Sequence, residues 1–366
     1  MTQDKAFPNR RSFVGTVAAG TTMAAATVAA PNIATASRTN REMVIGGGEH
    51  QFRVEHQWAQ LPDSFHWQTT HNVAVDKAQN LYVIHEGKAD LTDHPSIFVF
   101  DSEGKFIRAF GSQFQGGGHG IEVREEDGEE FLYVAAYQNV KSFAKMTLKG
   151  EVIWQRFAPM GSGKYVEGEA ASPKKVWGRD RFMPTNFAFL DDGGFMLADG
   201  YGAFLIHRYD KHGNWLSCFG GPGDGKGTFQ TPHGIWIDDR GEKPILIVTD
   251  RAHNTLQRFY LDGTYIDTIS GFGLPANIDI QGDLTLVPEL VARVSLLDRD
   301  NKVVVQLGED VERISADKRK AIRGDESKWQ DGKFVHPHDA CFAADGSIFV
   351  AEWVRTGRIT KLTRVS

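Results

Sequence analysis

The chain has 366 residues, 41% of them hydrophobic, with 41 Lys and Arg against 47 Asp and Glu for a formal net charge of −6. This is the composition of a soluble globular protein with ample core, and its mildly acidic balance gives no electrostatic footprint for nucleic acid. Cys218 and Cys341 are the only cysteines, which excludes a disulfide framework.

The first residues differ from the rest. Asn9-Arg10-Arg11-Ser12-Phe13-Val14-Gly15 leads into a weakly apolar run rich in Ala, Thr and Gly that ends at Ala34-Thr35-Ala36. This reads as a twin-arginine export signal over residues 1–36, followed by a linker over 37–50, and predicts a periplasmic or secreted protein. The twin-arginine route moves proteins that are already folded, which suits a protein that acquires its metal before export. No later segment is long and apolar enough to span a bilayer, so no membrane association is expected once the signal is removed.

From residue 51 onward the chain repeats. Apolar strands open with His71-Asn-Val-Ala-Val, His119-Gly-Ile-Glu-Val, Asn186-Phe-Ala-Phe, His233-Gly-Ile-Trp-Ile, Asn277-Ile-Asp-Ile and His338-Asp-Ala-Cys-Phe. Each begins a unit of four short strands divided by Gly and Asp turns, and the units are spaced by about 45 to 65 residues, the range of propeller blades. The expected fold is all-β, a six-bladed β-propeller over residues 51–366. The last unit stops one strand short, and Gln51 to Trp58 has the strand character to supply it and close the ring, which removes exposed edges. Insertions at 160–181 and 309–333 break the rhythm. The second carries an apolar spacing from Val311 to Ile322 that fits a short amphipathic helix.

Alternation of strand direction places the histidine openers, the second-strand ends and both insertions on one face of the disc. The second-strand ends are His85-Glu86, Tyr137, Asp199-Gly200-Tyr201, Asp250-Arg251 and Glu352-Trp353. His119, His233 and His338 fall on alternate blades, so a ring spaces them about the channel with roughly threefold symmetry. Three imidazoles with an open fourth position characterise catalytic zinc. His71 is read as a fourth ligand, a residue behind the ligands, or channel lining. Asp339 would serve a second cation bound through oxygen, or cap a turn.

The blades resemble NHL-type repeats, and their motif order is similar to that of peptidyl-α-hydroxyglycine α-amidating lyases. The matching segments are Asn80-Leu-Tyr-Val-Ile-His-Glu-Gly87, Gly118-His119-Gly, Pro184-Thr-Asn186, Ala198-Asp-Gly-Tyr201, Pro232-His233-Gly, Thr249-Asp-Arg251 and Pro337-His338-Asp339. The resemblance implies zinc on His119, His233 and His338. It also implies calcium on Asp339 and the backbone carbonyls near Val73 and Ile121, with Tyr201 as general base and Arg251 stabilising anionic oxygen. The reaction it implies splits an α-hydroxyglycine terminus into an amide and glyoxylate. The chain departs from the family where a His-Arg-Gly turn becomes His85-Glu86-Gly87, and where a methionine becomes His336. Glu86 and His336 are therefore expected to touch an altered substrate. The alternatives are a lactonase-like hydrolase, whose propellers favour carboxylate and amide ligands, and a non-catalytic propeller that binds a protein or polymer.

Overall fold

Six sheets of antiparallel strands form the described part of the computed structural model, which covers residues 42–171 and 175–365. The expected export signal lies outside the described residues. Blade one comprises Thr70–Val75, Leu81–His85, Ile97–Phe100 and Phe106–Phe110, and blade two Gly118–Glu126, Glu129–Ala136, Ser142–Thr147 and Val152–Arg156. Blade three comprises Phe187–Phe189, Phe195–Ala198, Leu205–Tyr209 and Trp215–Gly220, and blade four Pro232–Asp238, Ile245–Asp250, Thr255–Tyr260 and Tyr265–Ser270. Blade five comprises Asp279–Gln281, Leu284–Glu289, Arg293–Leu297 and Val303–Leu307.

Blade six joins the two ends of the chain. Pro337–Phe342, Ile348–Glu352 and Arg358–Arg364 are followed in the sheet by His50–Glu55, with Phe52 opposite Arg364 and Glu55 opposite Lys361. The ring is closed as the missing last strand required. Val44–Gly47 adds a fifth, outer strand through Val44 opposite Arg53 and Gly47 opposite His50. Residues 44–50 are thus part of a hairpin, where the sequence reading had placed linker.

Burial on both faces explains the uniformly apolar second strands. Tyr82 and Ile84 pack with Ile121, Leu132 and Val134 of blade two, while their neighbours Leu81 and Val83 pack with Phe349, Ala351 and Ile359 of blade six. A strand covered on both sides has no solvent face on which to alternate, so Leu81–His85 is buried throughout. The hairpins joining third to fourth strands take their shape from an aspartate: Asp101 accepts from the backbone N–H of Glu103 and Lys105, and Asp210 from those of His212 and Asn214. Gly104 and Gly213 follow at φ of 82° and 75°, a region that costs little only for glycine.

Of the insertions, the second holds a helix at Val311–Ala316, shorter than the apolar spacing to Ile322 had indicated, then a 3₁₀ turn at Glu326–Lys328. The first is fastened by a buried ion pair of Lys141 with Glu169 at 2.8 Å, which also receives Arg181 at 3.2 Å.

Strand register corrects the phase of the repeated opener. Val73 lies opposite Val83, Ile121 opposite Val134, Phe187 opposite Leu197 and Ile235 opposite Val248. Two residues before these stand His71, His119, Thr185 and His233, and the Pro-x sequence adds Ala276 and His338. Asn186 and Asn277, read as openers, belong one step later with Asn72, Gly120, Gly234 and Asp339. All four histidines coincide with breaks in register, between Thr70 and Asn72, Gly118 and Gly120, Pro232 and Ile235, and Pro337 and Asp339. Each sits at a bulge, a device that re-aims a side chain out of the ladder.

Candidate metal centre

The bulges deliver four imidazoles to one buried place. Ring centroids of His71 lie 4.7 Å from His119 and 4.5 Å from His338, and those of His233 lie 4.8 Å from His119 and 4.7 Å from His338. Three of the rings are held alike. His119 Nδ1 lies 3.2 Å from Thr185 O, His233 Nδ1 2.6 Å from Ala276 O, and His338 Nδ1 3.0 Å from His71 O. A carbonyl only accepts, so each Nδ1 carries the hydrogen and each Nε2 presents a lone pair. In each case the carbonyl belongs to the opener position of the next blade.

The lone pairs converge. His119 Nε2 and His233 Nε2 are 3.1 Å apart, and His338 Nε2 is buried with no hydrogen-bond partner. Two lone pairs at that distance repel unless a proton or cation lies between them, and an orphaned buried acceptor costs about 1–3 kcal/mol. Burial, followed by the charge of neighbouring imidazoles and Arg251, holds His119, His233 and His338 well below the ordinary imidazole pKa and keeps them neutral. Neutral imidazoles oriented by carbonyls are the form that binds a metal ion.

His71 is held differently. Its Nε2 lies 3.5 Å from Glu86 Oε2 while its Nδ1 is buried without a partner. It can donate to the carboxylate and turn Nδ1 inward, and one nitrogen each of His71, His119 and His338 lie within 4.8 Å of one another. The expected triad and this one share His119 and His338 and differ in His233 against His71.

Tyr201 stands over the centre. Its hydroxyl is 2.9 Å from His233 Nε2 and 3.3 Å from His119 Nε2, and it accepts from Arg251 Nη1 at 3.0 Å. Burial raises the Tyr201 pKa, opposed by the charge and hydrogen bond of Arg251, with a net upward shift. Tyr137 stacks on Tyr201 at 5.1 Å, and the exposed Trp177 of the first insertion meets Tyr201 edge-on at 5.3 Å. Trp177 escaped the sequence reading because nothing in an irregular insertion marks which side chain returns to the mouth.

The second-strand ends divide into two roles that the sequence did not separate. Asp199 accepts from Met183 N at 2.7 Å, Asp250 from Gln230 N at 2.8 Å, and Glu352 from Val335 N at 2.7 Å. His85 occupies the same place in blade one, accepting from Gln68 N at 3.2 Å. These groups latch the loops that lead into the first strands of blades one, three, four and six, and none of these bonds goes to the histidine cluster. The residues just after them, Glu86, Tyr201 and Arg251, do reach the mouth.

Glu86 is held by Gln138 Nε2 at 2.6 Å and by His71. Burial works to raise its pKa, but the contacts with His71 and Gln138 and the charge of Arg323 outweigh this, so it is lowered and Glu86 is ionised. His336 stays outside the cluster: its Nδ1 donates to Leu290 O at 2.6 Å and its ring lies 5.8 Å from Trp353. Asp339 is also engaged, accepting from Val73 N at 2.8 Å and from Asn277 Nδ2 at 2.6 Å. Val73 thus meets Asp339 through its N–H, and Ile121 is a buried residue paired with Val134.

No protein-family model matches the chain, and no curated protein matches it. Among solved structures, virginiamycin B lyase from Staphylococcus aureus is similar over 86% of this chain and 100% of its own, at 12% identity and a TM-score of 0.53. A gluconolactonase from Xanthomonas campestris is similar over 85% and 89%, at 11% identity and a TM-score of 0.53. At such identity the likeness is one of fold, and the chain is a six-bladed β-propeller.

Proposed function

We propose that this protein is an exported zinc enzyme of lyase type that acts on a small hydroxylated substrate, with cleavage of an α-hydroxyglycine terminus to amide and glyoxylate as the reaction to test first. The observation that carries the reading is the convergence of three buried Nε2 lone pairs, each fixed by a carbonyl behind it and two of them reached by the Tyr201 hydroxyl. His119, His233 and His338 would hold the ion, which when bound acidifies a coordinated hydroxyl. Tyr201 is placed to move the proton, and the Arg251 guanidinium beside it favours its phenolate and balances anionic oxygen. Tyr137 and Trp177 shield one side from water.

The fold hosts both lyase and lactonase neighbours, so the choice rests on the site, where imidazoles outnumber carboxylates at the centre. Calcium at Asp339 belongs to the same proposal and is supported by Glu122 and Asp279, which share its cavity of about 160 Å³. The test is metal analysis of purified protein together with glyoxylate assay on an α-hydroxyglycine compound. One zinc per chain with glyoxylate release is expected. Zinc without glyoxylate keeps the centre and rejects the substrate, and protein that refuses zinc rejects both.

A further inference from the structure

The Glu309–Lys333 insertion brings a guanidinium to the mouth that the reaction above does not use. Arg323 stacks its Cζ 3.4 Å from the centroid of the Trp353 ring, donates through Nε to Trp353 O at 2.9 Å, and donates through Nη2 to Thr69 Oγ1 at 3.2 Å. Thr69 in turn accepts through its carbonyl from Glu86 N at 2.8 Å. Arg323 is thereby one residue removed from Glu86, which itself touches His71 of the histidine cluster.

The charge of Glu86 reaches Arg323, but no direct ion pair does. Glu86 is the nearby carboxylate, yet its oxygens turn to Gln138 and His71, and among the described residues no carboxylate pairs with Arg323. Arg251 across the mouth likewise meets a tyrosine hydroxyl and no carboxylate. Behind Arg323, Lys320 lies 4.8 Å over the same Trp353 ring, and Arg355 N bonds Arg323 O at 3.1 Å. Lys318, Arg319, Lys320 and Arg323 thus form a short basic run within an otherwise acidic chain, a feature that the net charge conceals. A half-buried guanidinium fixed by stacking and by two of its donors, with the remaining donors uncommitted, is preorganised for an anionic oxygen.

We infer that Arg323 is a specificity-determining residue, supplying from the insertion the cation that binds a carboxylate of the substrate at the mouth of the histidine centre. The inference rests on the lyase reading for the identity of the site, and its test does not require turnover. Binding of N-benzoylglycine and of its neutral counterpart N-benzoylglycinamide to the zinc-treated full chain is measured by calorimetry at low salt. The native protein is expected to bind the acid at least about tenfold more tightly than the amide, since a charge-assisted contact contributes on the order of 1.5–3 kcal/mol. Arg323→Gln should abolish that preference with zinc content unchanged and the protein still folded, Arg323→Lys should keep part of it, and Lys320→Gln should weaken it only slightly. The inference is overturned if the native protein binds both probes equally or neither, or if Arg323→Gln retains the preference. It is overturned too if Arg323→Gln weakens acid and amide alike, which marks a structural role. Loss of zinc from a histidine variant with the acid preference intact would fault the metal centre alone.

Discussion

The two halves of the central channel show the same physics with opposite chemistry. At the mouth, His71, His119, His233 and His338 are buried bases pushed down to neutrality. Further along the first strands, Glu122, Asp279 and Asp339 are acids pushed upward, the last two to about 7, with burial the leading cause for each. Burial disfavours whichever form is charged, so each group moves toward neutrality unless a partner offsets it. The difference lies in how the polar atoms are satisfied. His119, His233 and His338 spend their hydrogens on carbonyls, His71 turns one nitrogen to Glu86, and lone pairs are left facing one another, whereas Asp339 receives Val73 N–H and the Asn277 amide. The histidine cluster leaves lone pairs that a cation could take up, whereas Asp339 in the lower channel already holds two donors from the protein.

The comparison breaks most severely at the histidines that both possible triads share. His119→Ala or His338→Ala should reduce zinc from about one per chain to near none, read by elemental analysis after dialysis. The choice of third ligand is sharpened by a pair of variants. His233→Ala should weaken zinc by more than tenfold in competition with a chelator and His71→Ala should not; the reverse result would move the centre onto His71, His119 and His338. Next in size, Tyr201→Phe should keep the metal and lower turnover by about 10² to 10⁴, the usual contribution of a positioned proton carrier.

The smallest expected effect concerns Asp339. Its carboxyl has a folded-state pKa raised from 3.8 to about 7, so its contribution to stability is fully present below about pH 4 and is lost as pH rises through 7. Asp339→Asn, which places at this position the residue found at Asn72, Asn186 and Asn277, should remove up to about 4 kcal/mol of pH dependence between pH 4 and 8. Thermal melts across that range decide it. If calcium binds here, millimolar calcium at pH 8 should restore the Tm of the native protein and leave the Asn variant unmoved.

The ring and its closure were legible because they depend on periodicity. Six apolar phrases and an unpaired last unit leave few arrangements, and His50–Glu55 supplies the strand that the Gln51 to Trp58 pattern promised. The histidines were legible as a set because residue type repeats with the blades. Their aim was not, since a bulge is a property of two paired strands, and only the pairing shows that the four positions share one phase while Asn186 and Asn277 lie a residue later. The latches were hidden for a similar reason: Asp199 and Tyr201 are two residues apart, yet one holds a loop and the other overhangs the centre. Arg323 was least visible, because its neighbours Thr69 and Trp353 come from opposite ends of the propeller sequence.

The closing sheet has a consequence for how this molecule comes into being. Phe52 pairs with Arg364 across a long stretch of sequence, and His338, in the same blade, lies against His71 and His119 from blades one and two. Pairing of such distant segments is slow to form. On the zinc reading proposed above, metal capture would depend on closure of the ring, because His338 joins the other histidines only when blade six is in place. An ion that binds only the closed ring would act as its clasp, drawing the equilibrium toward the complete disc.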